Sequence, residues 1–234
     1  MKSSEYYYSI AIRSNIFSQL ISSICIKSEY AYMFVFLKSI RKIILMLSIL
    51  FLVIAVAAYF ISGYIYSSRP AAVDEHIGEL AEMLNAKDII DEAGKMDAVK
   101  LFLGNFYASM AAVSYGMIPF LFLPAGSLLI NAAVVGVLPA IFKATEIGGV
   151  ADTLVGILPH GIFEIPALLI SIAMGIELCT IVTGIIRRKI SRYYLADYLA
   201  EVARAQVLMV VPLLMVSSAI ESYITPIIME IFLL

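Results

Sequence analysis

The sequence has few charged residues and few cysteines, and each shortage excludes a class of protein. Only 15% of its 234 residues are charged, which is too few to cover the surface of a soluble globule of this size. The two cysteines, Cys25 and Cys179, lie far apart and outside any CxxC motif, so we predict no disulfide framework and no cysteine zinc site. No basic patch is interleaved with aromatic residues, so we expect no nucleic-acid partner.

Catalytic motifs are missing as well. The sequence contains neither HExxH nor G-x-S-x-G, and its first histidine, His76, lies in an acidic segment. The pair His160 and Glu164 supplies two ligands, whereas a catalytic zinc site usually takes three and a water molecule. We therefore expect no enzyme activity, no metal and no cofactor.

Apolar residues are abundant, at 62% of the chain with a mean hydropathy of +0.97. They form long runs rather than the short alternating segments of a transmembrane β-barrel. Runs of this length need the lipid bilayer as their solvent. The sequence thus predicts an all-α integral membrane protein with about five transmembrane helices.

The first transmembrane helix is predicted at 43–66, a run of 24 residues without a charge. At about 1.5 Å per residue this run extends about 36 Å, enough to cross a bilayer with some tilt. Residues 1–42 form a leader whose first 32 residues are rich in Ser and Tyr. Two interpretations of 1–32 stay open: a cytoplasmic amphipathic stretch, or a misassigned start with Met33 as the initiator.

Two further regions follow the first helix. Residues 67–100 are acidic and have apolar residues at helical spacing, which predicts an amphipathic, extracytoplasmic helical insert. Residues 101–234 form a membrane domain with a tight turn at Pro124-Ala125-Gly126 and a short interfacial helix at 193–204. Its spans are predicted at 101–123, 127–142, 154–186 and 205–234.

Basic residues predict the orientation in the cell membrane. Cytoplasmic flanks collect Lys and Arg, and the basic flanks here are the leader and the cluster Arg187–Arg192. Five spans place both flanks in the cytoplasm. The N-terminus is then cytoplasmic, and the C-terminus and the acidic insert are extracytoplasmic.

The fourth predicted span is longer than a bilayer requires and contains helix-breaking residues. Pro166 cannot donate a hydrogen bond to the carbonyl of Ile162, and Pro159 and Gly161 weaken the preceding turn. We therefore predict a short half-helix at 154–162 that breaks near His160-Gly161. A single long tilted helix is the alternative.

Polar residues within the spans are costly in lipid and each requires an explanation. His160 and Glu164 are four residues apart and share a helix face. The predicted topology also places Asn105 and Glu221 in the outer leaflet. We predict that these four residues form one hydrogen-bonded cluster, which would serve as structural glue, as a proton or ion pathway, or as a metal site.

Small residues continue the same helix face. Ala167, Ser171 and Gly175 follow Glu164 at helical spacing, and a stripe of small residues lets another helix approach closely. We predict that the stripe and the polar pair face the same neighbouring helix. The stripe would suit a homodimer as well as packing within one chain.

The run Leu158-Pro159-His160-Gly161-Ile162-Phe163-Glu164-Ile165-Pro166-Ala167 resembles the signature of the stage II sporulation protein M family, in which Pro159, His160, Gly161, Phe163, Glu164 and Pro166 are the matching positions. Phe102-Leu103-Gly104-Asn105 and the pair Asn131 and Gly136 resemble further family segments. Ala219-Ile220-Glu221-Ser222-Tyr223-Ile224-Thr225-Pro226 resembles its C-terminal motif, with one residue fewer between Ala219 and Glu221. The resemblance covers about residues 100–226.

The resemblance implies a role in holding other proteins together rather than a catalysed reaction. Name-giving members of the family act in the engulfment step of spore formation, where the membrane protein holds extracytoplasmic cell-wall hydrolases in a complex. We therefore expect a non-enzymatic membrane scaffold that recruits other membrane or extracytoplasmic proteins. The alternative is a transporter or channel subunit with a titratable site at His160 and Glu164.

Overall fold

The computed structural model describes residues 3–86, 96–146 and 148–233, with side chains described over 27–79, at Glu82, and over 96–146 and 148–232. Predictions made for residues 87–95, and for the side chains of the leader before Lys27, lie outside these described residues. The structure is 89% helical and has no strand within the described part. This confirms the predicted all-α class.

Eight α-helices follow one another along the described chain. A 3₁₀ turn, Tyr115–Met117, follows α3, and two π-helical turns, Gln206–Val210 and Ile220–Ile224, join α6, α7 and α8 into one continuous segment. The helices are α1 (Ser3–Ser68), α2 (Ala71–Ala86), α3 (Ala98–Ser114), α4 (Pro124–Ala144), α5 (Val150–Ile186), α6 (Tyr193–Ala205), α7 (Val211–Ala219) and α8 (Thr225–Leu233).

Several of these segments are long and apolar enough to cross a membrane. Among the described residues there are four: Lys27–Ser68, Pro124–Ala144, Val150–Ile186 and Tyr193–Phe232. Helix α3 has 17 residues and, at about 1.5 Å per residue, extends about 26 Å, which is slightly less than a hydrocarbon core of about 30 Å. The chain is thus an integral membrane protein built from long helices.

Helix α1 runs through the predicted boundary between leader and span without interruption. The turns of α1 from Glu29 to Phe36 dock on α6, where Arg204 forms ion pairs with Glu29 of α1 and with Glu201 of its own helix. The Arg204 guanidinium also lies 5.4 Å from the centre of the Tyr32 ring. Nearby, the rings of Phe36 and Tyr198 meet edge to face, so this part of α1 is held by charge and by aromatic packing.

Helices α1 and α4 pack at very close range. A Cβ atom built on Gly136 would overlap the carbonyl oxygen of Ala55 and lie 2.9 Å from Cβ of Ala58. The neighbouring Ala132 and Ala140 of α4 are almost completely buried. Small residues on both helices therefore allow the backbones to touch, as is typical of helix pairs in membranes.

Helix α5 is the central element of the fold. It contacts α1, α3, α4, α6, α7 and α8. Its middle, Leu169–Gly175, is buried without interruption. In a membrane protein a helix that is covered all round is surrounded by other helices rather than by lipid.

The predicted break in the fourth span is wrong. Helix α5 continues from Val150 through Pro159, Gly161 and Pro166 to Ile186. Its 37 residues extend about 56 Å at about 1.5 Å per residue. Each proline removes one intrahelical hydrogen bond, but α3, α4 and the α7–α8 segment pack along the helix and hold it in register.

The break lies instead in the predicted second span, 101–123. Helix α3 ends at Ser114, and Phe120 and Phe122 have φ angles of 69° and 46°. Pro119 explains the end of the helix, because the residue before a proline avoids the helical region, and Ile118 is indeed extended. One hydrogen bond ties this irregular backbone to α5: the Phe120 N–H donates to Thr183 Oγ1 over 3.1 Å.

The predicted tight turn at Pro124-Ala125-Gly126 is also wrong, because these residues form the first turn of α4. Proline suits this position, since the first N–H groups of a helix have no partner within the helix. The third span is accordingly longer than the predicted 127–142.

Candidate functional site

Three of the predicted cluster residues come together between α5 and the C-terminal segment. One ring nitrogen of His160 and one carboxylate oxygen each of Glu164 and Glu221 lie within 4.8 Å of one another. These are the atoms that could act as metal ligands. His160 and Glu164 are one turn apart on α5, and Glu221 belongs to the second π-helical turn. All three side chains are half-buried.

The two π-helical turns have a common cause in the sequence. Pro212 and Pro226 follow them closely, and a proline ring crowds the carbonyl four residues before it. A widened turn relieves that crowding within an otherwise helical membrane segment. The widened turn also rotates the residues that follow it to a different face of the helix. Turns of this kind are frequent at functional sites.

Hydroxyl groups of the C-terminal segment contact the cluster. The Ser217 hydroxyl lies 3.3 Å from Oε2 of Glu164 and 3.3 Å from the His160 carbonyl oxygen. Thr225 Oγ1 lies 3.4 Å from Nδ1 of His160. Among the described residues, no hydrogen bond joins His160, Glu164 and Glu221 directly to one another. The three groups therefore come close together without a direct hydrogen bond between them.

Asn105 is the fourth residue of the predicted group, and its place in the cluster stays a prediction. Ser109 of α3 contacts Ser171 of α5, and α3 and α5 run parallel there. Asn105 lies one turn before Ser109 and is therefore level with Ala167, about one turn deeper than Glu164. Within the described part of the chain its half-buried side chain has no hydrogen bond to the cluster.

A second polar site, which was missed in the sequence, lies about two turns beyond Glu164 along α5. The hydroxyl oxygens of Ser109 and Ser171 are 2.7 Å apart, and the Ser109 hydroxyl donates to Oε1 of Gln206 over 3.3 Å. Nε2 of Gln206 donates back to Ser171 over 3.4 Å. All three residues are buried. Gln206 lies in the first π-helical turn, so both polar sites join α5 to a π turn of the C-terminal segment.

The small-residue stripe contacts α3 and also the C-terminal segment. Ala167, Ser171 and Gly175 are buried, and a Cβ atom on Gly175 would overlap the carbonyl oxygen of Ala112 of α3. Ser171 also accepts a hydrogen bond from Gln206 of the C-terminal segment, which His160 and Glu164 face as well. The stripe and the polar pair therefore share the C-terminal segment as a neighbour, and α3 packs against the stripe in addition. Of the two uses left open, the structure shows packing within one chain.

The other residues of the signature motif shape α5 around His160 and Glu164. Gly161 is buried, and a Cβ atom there would lie 3.2 Å from Cγ2 of Ile157. Pro159 and Phe163 are half-buried, whereas Pro166 is exposed. The motif thus supplies two polar side chains together with Gly161, where the helix carries no side chain.

A groove opens elsewhere, where α1, α2 and α4 meet. It has a volume of about 910 Å³. The Tyr66 hydroxyl at its base is 3.1 Å from Nδ1 of His76, which ties the end of α1 to α2. Its lining includes Tyr59, Phe60, Tyr64, Tyr66, Pro70, Asp74 and Lys143.

Comparison with known proteins gives one family. The model of the family described as Stage II sporulation protein M matches residues 33–226. No curated protein and no solved structure matches the chain. The match extends beyond the motifs of the last spans and includes α1 from Met33 onward, α2 and the groove between α1, α2 and α4.

Proposed function

The chain belongs to the Stage II sporulation protein M family, and we propose that it is a non-enzymatic membrane scaffold that holds a partner protein at the junction of α1, α2 and α4. The groove at this junction carries the proposal. In the predicted orientation it opens on the extracytoplasmic side, where α1 ends and α2 begins.

The lining of the groove suits a protein ligand. Tyrosine and other aromatic residues are enriched in protein interfaces, and tyrosine is enriched among the few residues that carry most of the binding energy. Three tyrosines line this groove, together with charged groups of both signs, Asp74 and Lys143. Tyr64 is 75% exposed, so a large amphipathic ring is presented to a partner.

The alternative of a transporter or channel subunit has less support. A transport site needs a cavity that reaches the titratable groups. The groove between α1, α2 and α4 and two smaller cavities in the described part of the chain are lined by other residues. His160 and Glu164 lie in a helix contact, where Ser217 and Thr225 cover them.

Site-specific cross-linking tests the scaffold proposal. A photo-reactive amino acid placed at Tyr64 in the native membrane is expected to form an adduct with a discrete partner protein. The same group at Leu52, which is exposed on α1 but outside the groove, faces lipid and is expected to give none.

A further substitution distinguishes a specific contact of the partner protein with the groove from cross-linking by random collision. Asp74→Lys reverses a charge in the groove and is expected to reduce the Tyr64 adduct at least about tenfold, since like charges at an interface cost several kcal/mol. Equal adduct yields at Tyr64 and Leu52, or no protein adduct at Tyr64, would contradict the proposal.

A further inference from the structure

We propose that His160, Glu164 and Glu221 bind one divalent transition-metal ion of the zinc class, which links α5 to the C-terminal segment. One imidazole nitrogen and two carboxylate groups converge from two separate helical segments. The proposal is independent of the groove and of the scaffold function.

The donor set selects the class of metal. Zinc and related ions bind imidazole nitrogen and carboxylate oxygen, often with three protein ligands and one open position for water. Calcium takes six to eight oxygen ligands and magnesium favours carboxylates and water, so an imidazole in the set argues against both. Folding brings Glu221 to the pair His160 and Glu164, and this completes the set of three that the local sequence lacks.

The spacing of the groups fits an ion better than a direct contact. The ligand atoms lie within 4.8 Å of one another, yet no hydrogen bond joins these three residues directly. In a tetrahedral site with metal–ligand bonds of about 2.1 Å, ligand atoms are about 3.4 Å apart. Small rotations of the two Glu side chains would bring their oxygens to that separation.

The second polar site, in contrast, is a cluster whose members hydrogen-bond directly to one another. Ser109, Ser171 and Gln206 also join α5 to a π-helical turn, but direct hydrogen bonds as short as 2.7 Å close that group. Neutral hydroxyl and amide groups can donate to one another. Two facing carboxylates in a membrane repel one another unless a cation or a proton lies between them.

The surroundings resemble the outer shell of a metal site. Side chains that bind metals are usually held in place by hydrogen bonds to further polar groups. Here Ser217 contacts the Glu164 carboxylate and Thr225 contacts the His160 ring. The π-helical turn of Glu221 also contains the Ser222 hydroxyl, whose oxygen is buried without a hydrogen-bond partner among the described residues.

Metal analysis of the purified protein tests the site. Full-length protein without a histidine tag is incubated with zinc in detergent, dialysed and analysed for bound metal. We expect about one zinc per chain, and His160→Ala, Glu164→Gln and Glu221→Gln should each weaken binding by at least about 100-fold, since loss of even an outer-shell partner costs about 10- to 100-fold.

The chain offers a matched control, because its only other histidine is His76. His76→Ala should bind zinc like the wild type, and so should Glu177→Gln, a further half-buried carboxylate of α5 outside the cluster. Size-exclusion profiles show whether each variant is folded, and Glu221→Gln serves if His160→Ala is not. Absence of zinc from the wild type, or loss of zinc in His76→Ala but not in folded cluster variants, would overturn the proposal.

Discussion

Replacement of Gly175 by leucine is expected to destabilise the protein more than any other single change considered. The carbonyl oxygen of Ala112 occupies the position that a Cβ atom would take, and Gly116 packs against the Gly175 backbone from the same side. Backbone atoms cannot rotate away as a side chain can. We expect a cost of about 3 kcal/mol or more, which would lower the melting temperature by roughly 10 °C.

Thermal unfolding followed by size-exclusion chromatography in detergent measures this effect. Gly104 of α3 is the matched control, because a Cβ atom there meets nothing within 4 Å. Gly104→Leu should leave the melting temperature unchanged or slightly raised, since leucine favours helix more than glycine does. Equal melting temperatures for the two variants would show that α3 and α5 do not pack in this way.

Replacement of Gly136 by leucine is expected to displace α1. The backbone of Ala55 and the side chain of Ala58 occupy the space that the new side chain needs. Few of the residues in the apolar stretch of α1 are buried. The position of α1 therefore depends strongly on its contact with α4, which is the most extensive that it makes, beside those with α5 and α6. We expect a loss of about 2 to 3 kcal/mol.

Limited proteolysis measures the displacement. The ion pair between Arg204 and Glu29 would still hold α1 near α6, but with the α4 contact loosened, cleavage near Lys38, Arg41 and Lys42 should become faster than in the wild type. Gly126→Leu on the same helix, α4, has open space around it and should show the wild-type rate. Wild-type resistance in Gly136→Leu would contradict the assigned α1–α4 contact.

The long apolar runs made the class of fold predictable. Sequence periodicity also predicted the amphipathic helix that the structure begins at Tyr193, because charges at helical spacing leave few alternatives. Helix ends inside the membrane were harder to predict. Proline and glycine occur both in α5, which stays helical, and in the segment after α3, which does not. The local sequence does not reveal which of these two segments is held helical by packing against other helices.

The polar sites illustrate the same difference. His160 and Glu164 are neighbours by helical spacing alone, and their shared face required no tertiary structure. The predicted topology also placed Glu221 near this pair, whereas Gln206 was missed. Gln206 lies in a π-helical turn, and a change in helix phase cannot be derived from a 3.6-residue period. Ser109 was missed because a single serine in an apolar helix is usually satisfied by its own backbone.

Flux through the protein reconstituted in liposomes tests the scaffold account most directly. Wild-type protein should pass protons, ions and small solutes no faster than protein-free vesicles do, and the double variant His160→Ala, Glu164→Gln should not differ from it. Partner cross-linking from Tyr64 and the size-exclusion profile serve as controls for function and folding. Flux that the double variant abolishes while both controls stay intact would contradict the account and establish a transport function instead.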